Sequence, residues 1–180
     1  KIKAPLFSVR QKVSKQTEQE IFDSEASYEE ETKKILKLDA ELQEAHSERN
    51  DANTRIMGLT PWNSYDVPLD VKETDDLFIK LGTMPPLTDI DSITGEFEDK
   101  DIPVEIAEIA RDKQQTYASL MYFKSDEDAV WEIVRHYGFS DNSFEGYKGT
   151  VSANIEQLKL EAENAEKRQD EISDQIAAEV

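Results

Sequence analysis

Apolar residues recur every seven positions in two stretches of this chain, and every second position in the stretch between them. In the first stretch Ile21, Tyr28, Ile35, Leu42 and Ile56 form one line, with Leu38, Ala45 and Ala52 on its companion. In the second, Ile155, Ala162 and Ile176 form one line and Val151, Leu158, Ala165 and Ile172 the other. A heptad repeat of this kind is a helix-pairing seam. Ser24, Glu31, Arg49 and Gln169 interrupt it at positions where a strong dimeric coil carries Leu or Ile. A weak seam still pairs two helices of one chain, because the residues between them act as a tether and raise their effective concentration. The alternative, two ordinary amphipathic helices on one globule, calls for a wider apolar face than the residues off the seam supply.

Thr17 followed by Glu20 fits a capping box, and helix-forming residues run from there to about Met57, where Gly58 and Pro61 close the helix. Its forty or so residues amount to about 60 Å of helix. The closing helix begins near Thr150 or Ser152, after Gly146 and Gly149, and is still in seam at Val180. Pairing that brings Ile56 near Val151 places Ala52 by Ile155, Arg49 by Leu158, Ala45 by Ala162, Leu42 by Ala165 and Ile35 by Ile172, fixed to within a multiple of seven.

Between the arms, Leu77, Ile79 and Leu81 alternate with Phe78 and Lys80 in a first strand that ends at Gly82 and Pro85-Pro86. A short helix is predicted from Pro86 to Gly95, with Pro in its first turn. Two strands follow, Pro103 to Ile109 and Tyr117 to Phe123, about the polar turn Arg111 to Gln115. Ser125 then caps a helix whose apolar face is Ala129, Val130, Ile133, Val134 and Tyr137, with Gly138 as its left-handed terminus. A last strand is predicted around Ser143 to Tyr147. The order βαββαβ predicts an α+β chain: a ferredoxin-like lobe at the tip of an antiparallel two-helix coiled coil. The segments are 1–16, an irregular flank; 17–57, the first coiled-coil helix; 58–76, an elbow; 77–148, the lobe; and 149–180, the second coiled-coil helix.

The 180 residues carry a net charge of −19, and 34% of them are charged. Nucleic acid would be repelled, and no basic patch with interleaved aromatics offsets that charge. The aromatics of Tyr117 to Phe123 lack the surrounding basic residues of an RNA-binding sheet. Without cysteine the chain has neither a disulfide framework nor a thiol nucleophile, which is compatible with a cytosolic setting. No apolar run approaches the roughly 18 residues of a membrane span. The absence of a signal peptide and of an initiating Met suggests a piece of a longer protein, although a processed mature form would look the same.

Catalytic constellations are absent from the sequence, so no enzyme activity and no cofactor are expected. There is no Gly-rich phosphate loop. His46, beside Glu44 and Glu48, and His136, beside Arg135, lack the ligand-spaced partners of a zinc site. Trp131 lies off the main apolar face of its helix; with Arg135 and His136 it forms the candidate partner-binding group. Tyr117 to Phe123 is apolar on both faces, with Tyr117, Met121 and Phe123 on one and Ala118, Leu120 and Tyr122 on the other. Helices of a βαββαβ sandwich cover only one face, and the Trp62 elbow is expected to shield the other.

The most distinctive string is Leu59-Thr60-Pro61-Trp62-Asn63-Ser64-Tyr65-Asp66-Val67-Pro68-Leu69, read as a rigid extended elbow. With Leu81-Gly82-Thr83-Met84-Pro85, Tyr137-Gly138-Phe139 and Gly149-Thr150, it resembles the cytosolic N-terminal region of the large membrane subunit of V-type and archaeal-type rotary ATPases, called subunit I in bacteria and subunit a in eukaryotes. The resemblance covers most of the chain. It implies a non-catalytic stator arm at the cytoplasmic face of a membrane, supporting proton or sodium transport coupled to ATP hydrolysis or synthesis. The implied partners are peripheral stalk subunits of E and G type and other rotary ATPase subunits, with membrane contact only through a C-terminal half absent here. The second reading is a coiled-coil adaptor whose ferredoxin-like head binds a small regulatory ligand.

Overall fold

A computed structural model describes the backbone over residues 15–179 and side chains over 27–178. The flank Lys1 to Val13 and the seam side chains of Ile21 and Ser24 lie outside those ranges. Mixed helix and sheet make up the fold: α1 (Lys15–Leu59), β1 (Leu77–Met84), α2 (Ile90–Asp99), β2 (Val104–Arg111), β3 (Thr116–Phe123), α3 (Glu127–His136), β4 (Ser140–Asp141) and α4 (Val151–Glu179). The chain divides into two compact units, Glu48–Ala165 and Lys1–Ser47 with Glu166–Val180.

In the larger unit the strands form one antiparallel sheet in the order β2-β3-β1-β4. Because successive residues of a strand face opposite sides, β3 divides its side chains between two cores. Ala118, Leu120 and Tyr122 face α2 and α3 and meet Ile93, Phe97, Val130, Ile133 and Val134. Tyr117 and Leu81 face the other way and meet Trp62, Leu69, Ile155 and Leu158. Trp62 is 1% exposed, its ring edge-on to Tyr117 at 5.2 Å and to Phe144 at 5.3 Å. The elbow therefore shields the Tyr117 end of the second sheet face. At the other end of that face Met121 is half-buried and Phe123 exposed.

Several boundaries differ from the sequence expectation, each for a local reason. Thr17 lies inside α1, whose described span begins at Lys15, so it does not cap that helix. Gly58 does not stop α1 either. The helix runs to Leu59 and tightens into a 3-10 turn over Thr60–Trp62, with Pro61 where its missing N–H costs nothing, so the elbow starts as a turn rather than as extended chain. β1 continues past Gly82 to Met84, and α2 starts at Ile90, because Asp89 is the better cap: its carboxylate accepts from Asp91 N at 3.2 Å and Ser92 Oγ at 2.7 Å. A 3-10 turn, Lys124–Asp126, precedes α3, so Ser125 is not its cap, and Ala129 is exposed.

The last strand is two residues, Ser140–Asp141, rather than Ser143 to Tyr147. Much of the β1 edge is already taken, since Ile79 N donates to the Lys72 carbonyl and Thr74 N to the Leu77 carbonyl, which leaves Gly82 and Thr83 for β4. A Cβ on Gly82 would sit 2.5 Å from the Ser140 carbonyl oxygen and overlap the Phe139 ring, so only glycine allows this approach. Phe144 and Tyr147 turn away to the elbow side, where Phe144 meets Trp62 and Tyr147 lies under Arg55 at 5.3 Å. The elbow is clipped to the start of α4: Leu69 N donates to the Gly149 carbonyl at 2.8 Å, and Gly149 N to Asp70 Oδ1 at 2.7 Å. That second bond holds the Asp70 carboxyl below the usual carboxylate range.

Within this unit Ala52, Leu59, Val151, Ile155 and Leu158 are buried and Ala162 is partly buried, as heptad positions should be. Arg55 forms an ion pair with Glu161 at 3.9 Å. In the smaller unit Leu38, Ala45 and Ile172 are buried, and the polar interruption Gln169 is buried with them. Its amide donates to the Ala45 carbonyl at 3.0 Å. Ala45 thus faces Gln169 rather than Ala162, one heptad away from the register expected. Tyr28, on the line of Ile35 and Leu42, is 68% exposed.

Two measurements check this packing. Trp62→Ala removes the largest fully buried side chain and is expected to cost about 3–5 kcal/mol in chemical denaturation; a loss below about 1 kcal/mol would refute the joint. A Cys pair at Leu42 and Ile172 is expected to crosslink within one chain under mild oxidation, and solely intermolecular dimers on a non-reducing gel would refute the register.

Candidate partner-binding surface

The candidate residues Trp131, Arg135 and His136 sit on α3, which the sequence builds by several cooperating signals. Glu127 and Asp128 lie in the first turn and Arg135 and His136 in the last, each sign opposing the helix dipole. Val130, Ile133 and Val134 fall on one face and are buried. Gly138 ends the helix at φ 77°, with Gly138 N donating to the Arg135 carbonyl and Phe139 N to the Val134 carbonyl, both at 3.0 Å. Those two bonds are the Schellman closure.

The structure separates the three residues by role. Trp131 is half-buried: its Nε1 donates to the Tyr122 hydroxyl at 3.1 Å, its ring meets Phe139 at 5.9 Å, and the Arg135 guanidinium lies 5.3 Å above it. Burial pushes the Tyr122 hydroxyl up from its ordinary value, partly countered by the Trp131 bond. Arg135 and His136 are exposed, with the His136 ring edge-on to Tyr137 at 5.7 Å. Trp131 therefore serves the lobe's own packing, while its two neighbours face solvent.

Around them, Tyr137 ties the end of α3 to the side of α2. Tyr137 Oη donates to Glu96 Oε2 at 3.0 Å and Lys100 pairs with Glu96 Oε1 at 3.0 Å. The Lys100 contact first, and the Tyr137 bond second, hold the Glu96 carboxyl below the carboxylate range. Sequence reasoning did not anticipate a second feature at this end of the lobe, the braced turn after β1. Its one outward clue is Leu87, an isolated apolar residue between Pro86 and the acidic start of α2.

Other chemistry has little purchase on the described residues. No group of three or more His, Cys, Asp or Glu among them is arranged to hold a metal ion, and His46 is exposed on α1. No described helix is long and apolar enough to cross a membrane. A recess of about 170 Å³ lies between the elbow and β4, lined by Tyr65, Leu69, Lys72, Lys80 and Phe144 among others. Ligand pockets usually offer roughly 300–1,000 Å³, so this recess does not favour a metabolite site.

Because Trp131 is engaged inward, Trp131→Ala is expected to destabilise the lobe by about 1–3 kcal/mol, through lost packing and an unpaired Tyr122 hydroxyl. A melting temperature equal to that of the unaltered chain would show that the ring carries no structural load. No protein-family model matches this chain, and no curated protein matches it. Among solved structures, the cytoplasmic N-terminal domain of subunit I, homolog of subunit a, of V-ATPase is similar at 14% sequence identity and a TM-score of 0.42, over 84% of this chain and 48% of that one. The chain thus spans about half the length of that structure.

Proposed function

We propose that this chain is a non-catalytic stator element of a rotary V/A-type ATPase, lying at the cytoplasmic face of a membrane. In this reading residues 77–148 are a ferredoxin-like distal lobe, and 17–57 and 149–180 are the helices of an antiparallel coiled coil joined to it through the 58–76 elbow. Its role is mechanical, holding stationary parts of the motor against torque while ions cross elsewhere. Its partners are the peripheral stalk subunits of E and G type and other subunits of the same complex.

One observation carries this reading: residues of the family-like string build the joint. Pro61 and Trp62 make the turn out of α1, Trp62 is the largest fully buried side chain, and Leu69 is tied to Gly149 at the start of α4. Gly82, from the second family-like string, is where β4 joins the sheet. A buried aromatic joint closed by backbone hydrogen bonds resists bending in a way that a solvated linker does not.

The stalk is proposed to dock on the α3 end of the lobe, through the surface of Arg135 and His136 with Trp131 beneath them as support. Calorimetric titration of the chain with a purified E and G heterodimer is the test. Saturable binding is expected, weakened about tenfold by Arg135→Glu. Absence of binding by the unaltered chain would overturn the stator reading, whereas binding unaffected by Arg135→Glu would move the interface off α3.

A further inference from the structure

Leu87 is 93% exposed, the most exposed of the large apolar side chains among the described residues, and it stands on a turn held from several sides. Arg111 supplies the main brace. Its Nη1 donates to the Pro86 carbonyl at 2.6 Å and its Nη2 to the Thr88 carbonyl at 2.9 Å, the residues on either side of Leu87. The same guanidinium grips the Glu108 carboxylate through Nε at 3.2 Å and Nη2 at 2.5 Å. Thr88 N closes the turn onto the Pro85 carbonyl at 3.1 Å, and the buried Thr116 hydroxyl donates to that carbonyl at 3.3 Å. Pro85 and Pro86 lock two backbone torsions, and the Asp89 cap fixes the exit into α2.

This brace depends on an irregularity in β2. In a regular strand Glu108 and Arg111, three residues apart, would face opposite sides of the sheet. The register shift between Glu108 and Ala110 adds one residue, so that Glu108 lies opposite Ala118 and Arg111 opposite Thr116, two β3 residues of one face. Both side chains then reach the same side, and the arginine fork meets the turn. Pro85 is also seated against α3: a Cβ on Gly138 would lie 3.1 Å from Pro85 Cδ, so the Leu87 turn adjoins the helix end that carries Arg135 and His136.

We infer that Leu87 is the apolar anchor of the stalk interface, presented by the Arg111-braced turn beside Arg135 and His136. The inference rests on the stator reading and sharpens it. The partner surface is an apolar pocket that takes the leucine, bordered by carboxylates where it meets Arg135 and His136. Trp131 cannot serve as this anchor while its ring is held by Tyr122, Phe139 and Arg135, whereas Leu87 is 93% exposed. Anchors presented on a pre-ordered backbone lose less entropy on binding, which is what the brace provides. Arg111 is a positioning residue, acting through Leu87.

The test is calorimetric titration with the purified E and G heterodimer, using the unaltered chain, Leu87→Asp, Leu87→Met, Arg111→Gln and the double variant Leu87→Asp/Arg111→Gln. Expected results are a loss of at least tenfold in affinity for Leu87→Asp with an unchanged melting temperature, near-full affinity for Leu87→Met, and a loss for Arg111→Gln that disappears in the Leu87→Asp background. Affinity within twofold of the unaltered chain for Leu87→Asp overturns the inference and leaves the stator reading standing. Additive losses overturn the positioning role of Arg111. No binding by the unaltered chain overturns the stator reading and this inference with it, and a homodimer in sedimentation that Leu87→Asp dissolves assigns the anchor to a second copy instead.

Discussion

Burial of Trp62 is the contact on which the larger unit depends. A four-stranded sheet with helices on one side has a second face that water would wet, and β3 is apolar on both. Trp62 meets Tyr117 and Phe144 edge-on and, with Leu69, closes the Tyr117 end of that face. The closing group comes from the turn out of α1, so the same contact that completes the lobe also sets where α1 ends. The backbone bond from Leu69 to Gly149 does the corresponding work for the start of α4. One aromatic side chain and two hydrogen bonds thus tie sheet, elbow and helix ends into a single packing problem.

Among the described residues the buried polar side chains are Thr116 and Gln169, and each has a partner. Gln169 occupies a seam position where leucine would pack better, yet its amide reaches the Ala45 carbonyl and so distinguishes one heptad register from its neighbours. A buried polar residue in a seam commonly trades stability for register in this way. Thr116 is fully buried at the start of β3 and directs its hydroxyl to Pro85. Among the described residues no buried side-chain nitrogen or oxygen is left without a hydrogen bond. With a net charge of −19 the surface carries the solubility, and the few internal polar groups specify geometry.

Periodicity determined a good deal of this protein. Heptad spacing identified the buried line of α4, Val151, Ile155, Leu158, Ala165 and Ile172, because a helix repeats its face near that interval whatever it packs on. Alternation located β1, β2 and β3, and Gly138 marked the end of α3, because only glycine adopts that backbone region without a steric cost. The two-sided character of β3 was likewise legible, and with it the need for a cover such as Trp62.

Tertiary structure decided the rest, for reasons that local pattern does not contain. Heptad arithmetic is blind to shifts of seven, so only the Gln169 contact selected the register. The short β4 follows from a β1 edge already occupied by residues 72–74, a competition between segments far apart in the chain. Trp131 has the same helical position whether it faces solvent or the Tyr122 hydroxyl; the strand beside it made the choice. The bulge in β2 leaves no mark in composition, yet it turns Arg111 onto the Leu87 turn, since one added residue reverses every facing beyond it.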